Sequence, residues 1–353
     1  MINPAPCIVT LGSHSALQIA KGARDEGLSN LIVAARGREG LYRRYPCVDQ
    51  VAVVDAYGDA EVTALAGELR ERNAVMVPHG SFVAYLGAEM NETLDVPFFG
   101  PRAVLRWEGD RALQRQWLAH AGIRQPAEYA NPDAVPDDGW PVLVKRYGAA
   151  GGAGYTLARS RDALIEQLSM LGDEPVTIQH YIVGVTLYIH YFQSVVRGRL
   201  EILSMDRRYE TNVDGLGRIP QAAQAQLGDA LAPSYVVVGN SPLVLRESML
   251  EEAYRMGERV VASAKALIDP RGLWGPFCLE TIITPDLRFH VIEISCRIVA
   301  GTNLFVDGSP YAALFFDEPM STGRRIAREL REAAAGGRLA AVLDGPRESR
   351  SDV

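Results

Sequence analysis

The chain has 353 residues, of which 48% are hydrophobic and 22% charged, an ordinary balance for a globular protein of one large or two to three smaller domains. Its net charge of -7 argues against a broad nucleic-acid or membrane-surface role, since both need a concentrated basic face. A strand pattern starts almost at once, at Cys7, with no basic and apolar leader before it, and no apolar run approaches the ~20 residues that span a bilayer. A cytoplasmic protein is therefore expected, with no nucleic-acid or membrane partner.

The first hundred residues alternate short apolar runs with amphipathic stretches. Cys7–Leu11, Leu31–Ala35, Val51–Asp55 and Ala74–Val77 read as strands, and Ser15–Glu26 and Ala60–Arg72 as helices. Continuous apolar strands between helices predict a buried parallel sheet, hence an open α/β domain over residues 1–123. Residues 102–120 read as a single helix. Four prolines between Arg124 and Pro141 mark a linker.

Beyond it the pattern becomes strand-rich. Strands are expected at Val142–Lys145, Tyr155–Ala158, Val176–Ile182, Thr186–Val196, Leu200–Asp206, Tyr235–Val238, Phe277–Ile283 and Phe289–Ser295. Helices are expected at Glu247–Leu267 and Thr322–Ala335. Strands adjacent in sequence predict an antiparallel α+β region over residues 124–353, with a frayed tail at 346–353. The four cysteines, Cys7, Cys47, Cys278 and Cys296, lie in or beside apolar stretches without CxxC spacing, so free buried thiols are expected.

Three constellations carry chemistry. The first is Lys145 at a strand end, followed by Gly148, Gly151, Gly152 and Gly154 before another strand. Glycines without side chains let backbone N–H groups approach a polyphosphate, and the lysine adds a point charge. No Gly-Lys-Ser/Thr follows, and the next element is a strand, so neither a Walker loop nor a dinucleotide fingerprint fits. A flap over phosphates competes here with a plain hairpin tip.

The second constellation is Glu280 and Glu293, each punctuating an apolar strand. Adjacent antiparallel strands would set both carboxylates on one face, an oxygen site for Mg²⁺ on ATP phosphates, with Asn303 as a third ligand. The plainer reading is two exposed glutamates on an edge. The third constellation is His14, after the first strand, and Pro78-His79-Gly80-Ser81, after the Ala74–Val77 strand. Residues just past the carboxyl ends of parallel strands line the ligand crevice of open α/β sheets, though turn and cap chemistry is equally compatible. His190, inside an apolar strand, reads as a hydrogen-bonded core histidine.

Segments from Thr10-Leu11-Gly12-Ser13-His14 through Val77-Pro78-His79-Gly80-Ser81-Phe82, Met205-Asp206-Arg207-Arg208-Tyr209-Glu210, Gly275-Pro276-Phe277-Cys278-Leu279 and Gly301-Thr302-Asn303 cover nearly the whole chain in order. In these the chain resembles the archaeal-type formate-dependent synthetases of purine biosynthesis, the PurP family of the ATP-grasp superfamily. The resemblance implies an ATP-grasp fold with an N-terminal open α/β domain that binds substrate. It also implies an ADP-forming carboxylate–amine ligase: ATP phosphorylates formate, and the amine of aminoimidazole carboxamide ribonucleotide attacks the formyl phosphate. By the same resemblance His14, Ser81 and Asn240 hold the ribonucleotide. Lys145 and Glu210 bind ATP, Gln179-His180-Tyr181 stands at the nucleotide hinge, and Glu280 with Glu293 holds Mg²⁺ or Mn²⁺. Lys145 and Arg297 are expected to be catalytic, and the assembly is expected to be a homo-oligomer.

The chain also departs from the family. Ala150 and Ala153 stand where its flap carries two arginines, removing charge-assisted contacts worth about 1.5–3 kcal/mol each. Gln179 and His180 replace two acidic residues, and Val299-Ala300 replaces an Asp-Gly pair. The changes cluster around ATP and the acyl phosphate, which leaves open a relative that accepts another small carboxylic acid, as in nucleoside natural-product synthesis. A catalytically silent nucleotide-binding sensor is a further alternative, disfavoured by the intact Lys145, Glu280 and Glu293.

Overall fold

The computed structural model describes residues 5–146, 155–172, 175–210, 218–227 and 237–346. The four flap glycines, Gly148, Gly151, Gly152 and Gly154, lie outside the described residues, as do residues 235 and 236 of the expected Tyr235–Val238 strand.

The first layer is a parallel sheet of β1 (Cys7–Leu11), β2 (Asn30–Ala35), β3 (Gln50–Val54), β4 (Ala74–Met76) and β5 (Phe98–Phe99), with β1 at its centre between β4 and β2. Every residue of β1 is buried because alternate side chains enter different helix layers. Cys7, Val9 and Leu11 join the core under the Asp59–Glu71 and Gly80–Thr93 helices, while Ile8 joins the core under the Ala16–Asp25 helix.

The stretch read as one helix over residues 102–120 is two, Ala103–Gly109 and Arg111–His120. Asp110 is extended, and its carboxylate accepts from the N–H groups of Ala112 (2.8 Å) and Leu113 (3.1 Å). A cap that satisfies two otherwise free donors outweighs helix continuity through Gly109.

The expected linker itself contributes a strand: β6 (Glu128–Tyr129), β7 (Val142–Arg146), β8 (Tyr155–Ala158) and β9 (Val176–His180) form a small antiparallel sheet in the order β6-β9-β7-β8. The Arg161–Leu171 helix, which the sequence reading did not mark, closes its core through Leu164.

The third sheet is antiparallel: β10 (Val185–Ser194), β11 (Arg199–Glu210), β12 (Val237–Pro242), β13 (Gly275–Ile283) and β14 (Phe289–Ser295), ordered β12-β11-β10-β13-β14. Leu187, Ile189, Tyr191, Phe277 and Leu279 point into a core shared with the Leu250–Leu267 and Arg111–His120 helices. The intervening Tyr188, His190, Cys278 and Glu280 face the other way, into a cleft. Period-two alternation thus sorts core from site on the same strands.

The chain's end returns to the first layer. The Thr322–Ala335 helix packs on the Ala16–Asp25 helix, and β15 (Leu343–Asp344) adds antiparallel to β5 as the sheet's outer strand. Gly22 and Gly323 let the two backbones touch: a Cβ on either would overlap the other helix's main chain. The buried Glu26 at this contact is held by Arg324 (2.7 Å), Arg328 (2.5 Å) and Arg331 (3.0 Å). All four cysteines are free, three of them buried. Among the described residues no helix is long and apolar enough to cross a membrane.

Candidate active site

A parallel bridge between His79 and Ile298 ties the loop after β4 to the segment after β14. The carboxyl ends of β1 and β4 thereby meet the polar face of the third sheet around a cleft of about 380 Å³. Its walls include His14, Asp206, Arg208, Asn240, Glu280, Glu293 and Arg297. Residues from both ends of the chain are therefore brought together, as the sequence reading required of His14, Asn240 and the two glutamates.

On one side, His14 adopts a left-handed backbone conformation (φ 52°), and its Nδ1 lies 2.9 Å from the Ser15 hydroxyl. The buried His79 caps the Gly80–Thr93 helix. Its Nε2 donates to the Leu11 carbonyl (2.8 Å) and its Nδ1 accepts from the Ser81 N–H (3.2 Å), which requires the neutral ring. Ser81 itself is buried behind His79 and is not among the cleft-wall residues.

Arg297 pairs with the buried Glu108 at 2.7 Å, while the other Glu108 oxygen accepts from the Cys296 N–H, also at 2.7 Å. Burial pushes the Glu108 carboxyl up, and Arg297 opposes the shift. A Cβ on Gly80 would meet His14 Nε2 at 2.9 Å and Arg297 Nη2 at 3.3 Å, so both groups converge on that glycine. Across the cleft the Asn240 side-chain amide donates to Asp206 (2.6 Å), and His190 Nε2 lies 2.6 Å from the other Asp206 oxygen. His190 is hydrogen-bonded and buried, as expected, but it also forms part of the cleft wall.

Glu280 and Glu293 stand directly opposite each other on β13 and β14. The Tyr188 hydroxyl donates to one Glu280 oxygen and Arg208 pairs with the other at 3.0 Å, its guanidinium lying 4.4 Å over the Tyr188 ring. Arg111 pairs with Glu293 at 2.8 Å. Burial pushes the Glu280 carboxyl up; Arg208 opposes the shift and Glu293 adds to it. Two facing carboxylates, each balanced by an arginine, fit a Mg²⁺ ion that takes its remaining oxygens from phosphates and water. The described residues offer no group of three or more His, Cys, Asp or Glu side chains for a metal. Asn303, expected as the third ligand, lies outside the cleft wall with both ends of its amide engaged by Gln18 and the His14 carbonyl.

Lys145 lies on β7 with its Nζ donating to Gln179 Oε1 (2.6 Å), and Gln179 in turn donates to Glu128 (3.2 Å). Burial lowers the lysine's pKa and Arg111 lowers it further, while Glu128, Glu280 and Glu293 pull the other way. The lysine of the small sheet thus lies within electrostatic reach of the paired glutamates. Tyr181 is partly exposed just beyond β9, and Glu210 ends β11.

Sequence reasoning missed Tyr188, Arg208, Asp206 and Glu108. A usable signal was present for three of them. Tyr188 shares a strand face with His190, and Asp206 with Arg208, two residues apart, so a polar period-two stripe ran beside each residue already singled out.

A parallel sheet joined to a small antiparallel sheet and to a larger antiparallel one is the ATP-grasp architecture. N5-carboxyaminoimidazole ribonucleotide synthetase in its ADP complex shares that fold at a TM-score of 0.65, with 13% identity over 93% of this chain and 77% of that one. Two family models match, one described as a protein of unknown function (DUF1246) over residues 8–129 and one as a domain of unknown function (DUF1297) over residues 159–344.

A 5-formaminoimidazole-4-carboxamide-1-(beta)-D-ribofuranosyl 5'-monophosphate synthetase from Pyrococcus horikoshii is 49% identical over 344 residues, 95% of this chain and 99% of that protein. The crystal structure of an IMP biosynthesis protein, PurP, from Thermococcus kodakaraensis superposes with a TM-score of 0.76 and 34% identity, covering 96% of this chain and all of that one. The chain belongs to the PurP family of ATP-grasp synthetases, and it is an ATP-using ligase that forms a carbon–nitrogen bond.

Proposed function

We propose that the protein joins formate to the 5-amino group of aminoimidazole carboxamide ribonucleotide, with ATP converted to ADP and phosphate. The observation that carries this reading is the cleft whose wall includes His14, Asn240, Glu280 and Glu293, in a chain 49% identical to synthetases named for that product.

A carboxylate is a poor electrophile until one of its oxygens becomes a good leaving group. In the first step a formate oxygen attacks the γ-phosphorus, the bond to the ADP oxygen breaks, and formyl phosphate forms. In the second the amine nitrogen attacks the formyl carbon, phosphate departs with that formate oxygen, and the nitrogen loses a proton. Lys145 and Arg297 would place positive charge beside the transferring group, and Arg208 joins Arg297 in the cleft wall. Mg²⁺, or Mn²⁺, would be held by Glu280 and Glu293 and would neutralise phosphate charge. His14, past the carboxyl end of β1, and Asn240, on β12, would hold the ribonucleotide from the cleft wall, whereas Ser81, expected with them, is buried away from it.

The test is formate labelled with oxygen-18, supplied with ATP and the ribonucleotide. Label is expected in the released phosphate, with ADP formed in equal amount to product. Accumulation of AMP and pyrophosphate would overturn the acyl-phosphate route, and no product from formate would overturn the substrate assignment.

A further inference from the structure

We propose that Asp206 and Asn303 are positioning residues for the amine substrate, both governed by the turn at Gly301–Asn303. This rests on the reading that His14 and Asn240 hold the ribonucleotide.

Asp206 is held on three sides. His190 Nε2 meets Oδ1 at 2.6 Å, Asn240 Nδ2 donates to Oδ2 at 2.6 Å, and Gly301 lies so close that a Cβ there would overlap the carboxylate. The side chain is 1% exposed. Because a carboxylate offers acceptors, the Asn240 amide nitrogen is drawn toward it, and Asn240 Oδ1 is left for the cleft. Asn240 therefore presents an acceptor, matched to an N–H donor such as an aromatic amine or a carboxamide.

The other end of the same turn acts on His14. Gln18 Oε1 accepts from the Gly323 N–H at 2.9 Å, so its amide nitrogen points the opposite way and donates to Asn303 Oδ1 at 3.1 Å. The Asn303 nitrogen must then face the His14 carbonyl, to which it donates at 3.1 Å. His14 occupies the left-handed backbone region, uncommon for residues other than glycine, and this bond helps to hold it there. Gly301 and Asn303 belong to one 3-10 turn, Ala300–Phe305. One short segment thus sets two substrate-facing side chains that lie far apart in the chain, His14 and Asn240.

The experiment compares N303D with D206N and the swap D206N/N240D, measuring ribonucleotide binding by calorimetry beside ADP binding and Mn²⁺ binding by electron paramagnetic resonance. N303D keeps the acceptor for Gln18 and loses the donor to His14. It is expected to weaken the ribonucleotide about tenfold, the scale of one lost hydrogen bond, with ADP and Mn²⁺ unchanged. D206N is expected to weaken the ribonucleotide similarly, and the swap, which restores one donor and one cleft-facing acceptor, to recover most of the loss. A change in Mn²⁺ affinity in N303D with the ribonucleotide unaffected would make Asn303 a metal ligand and overturn the proposal. A swap no better than D206N would overturn the Asp206 half. Asn303 is exposed, so N303D decides alone if D206N melts early. If H14A and N240A also leave ribonucleotide binding intact, the substrate-site reading itself fails. If they weaken it while N303D and D206N do not, only the positioning roles fail.

Discussion

The imidazole rings of His14 and His79 lie parallel, 3° apart, with 5.4 Å between their centroids. Burial lowers both pKa values, His14 to about 3 with help from Arg297, and His79 to about 4. His14 keeps one face open to the cleft, where solvent screens its charge, so the fully buried His79 carries the stronger consequence. Its folded pKa lies below the unfolded value of 6.5, so the unfolded chain takes up the proton first. Its contribution to stability is complete above pH 6.5 and is lost as pH falls toward 4. Melting temperature is expected to drop between pH 7 and pH 5, and His79→Asn to flatten that dependence. A variant with the wild-type slope would assign the acid sensitivity elsewhere.

Glu293→Gln should cut turnover at least about a hundredfold while leaving the melting temperature within a few degrees. The variant keeps the side chain's size beside Arg111 but removes one of two facing negative charges. ADP release in saturating magnesium is the measurement, and near-wild-type activity would remove Glu293 from the metal site.

His14→Ala should weaken the ribonucleotide about tenfold or more and ATP hardly at all. His14 follows β1 in the first layer, whereas Lys145 and Gln179 lie on the small sheet, in β7 and β9. Binding titrations with each ligand separately decide this, and equal losses would exclude a selective role.

Two glycines in helices should respond to alanine with opposite signs. Gly22→Ala drives a methyl group into the main chain of the Thr322–Ala335 helix and should cost about 2 kcal/mol or more. Gly67→Ala, in the Asp59–Glu71 helix, meets open space and should stabilise by up to about 1 kcal/mol through helix propensity. Thermal melts of the two variants give the comparison. A Gly22→Ala protein as stable as wild type would mean the two helices can separate freely.

The sequence alone determined the long strands, because burial on both faces demands unbroken apolar runs such as Cys7–Leu11, and one-sided burial demands alternation such as Leu187–Phe192, but not the two-residue strands β5, β6 and β15. It also singled out Glu280 and Glu293, since a carboxylate interrupting an apolar strand is costly enough to need a reason. Successive strands joined by a short turn then bring the two face to face by local geometry.

Only tertiary structure decided the rest. The bond from Asn303 to His14 spans 289 residues, and nothing near Asn303 distinguishes a metal ligand from a residue that holds another chain segment. Asp206 and Arg208 sit in a strand whose composition says that one face is polar, but only the packing of β11 against β12 and β10 says what that face meets. The return of Thr322–Ala335 and β15 to the first layer is equally non-local. It depends on Gly22 meeting Gly323 and on Glu26 finding three arginines of the last helix. Periodicity reports which side of an element is buried, whereas partners far apart in the chain are selected by shape and charge complementarity that arises when the layers close.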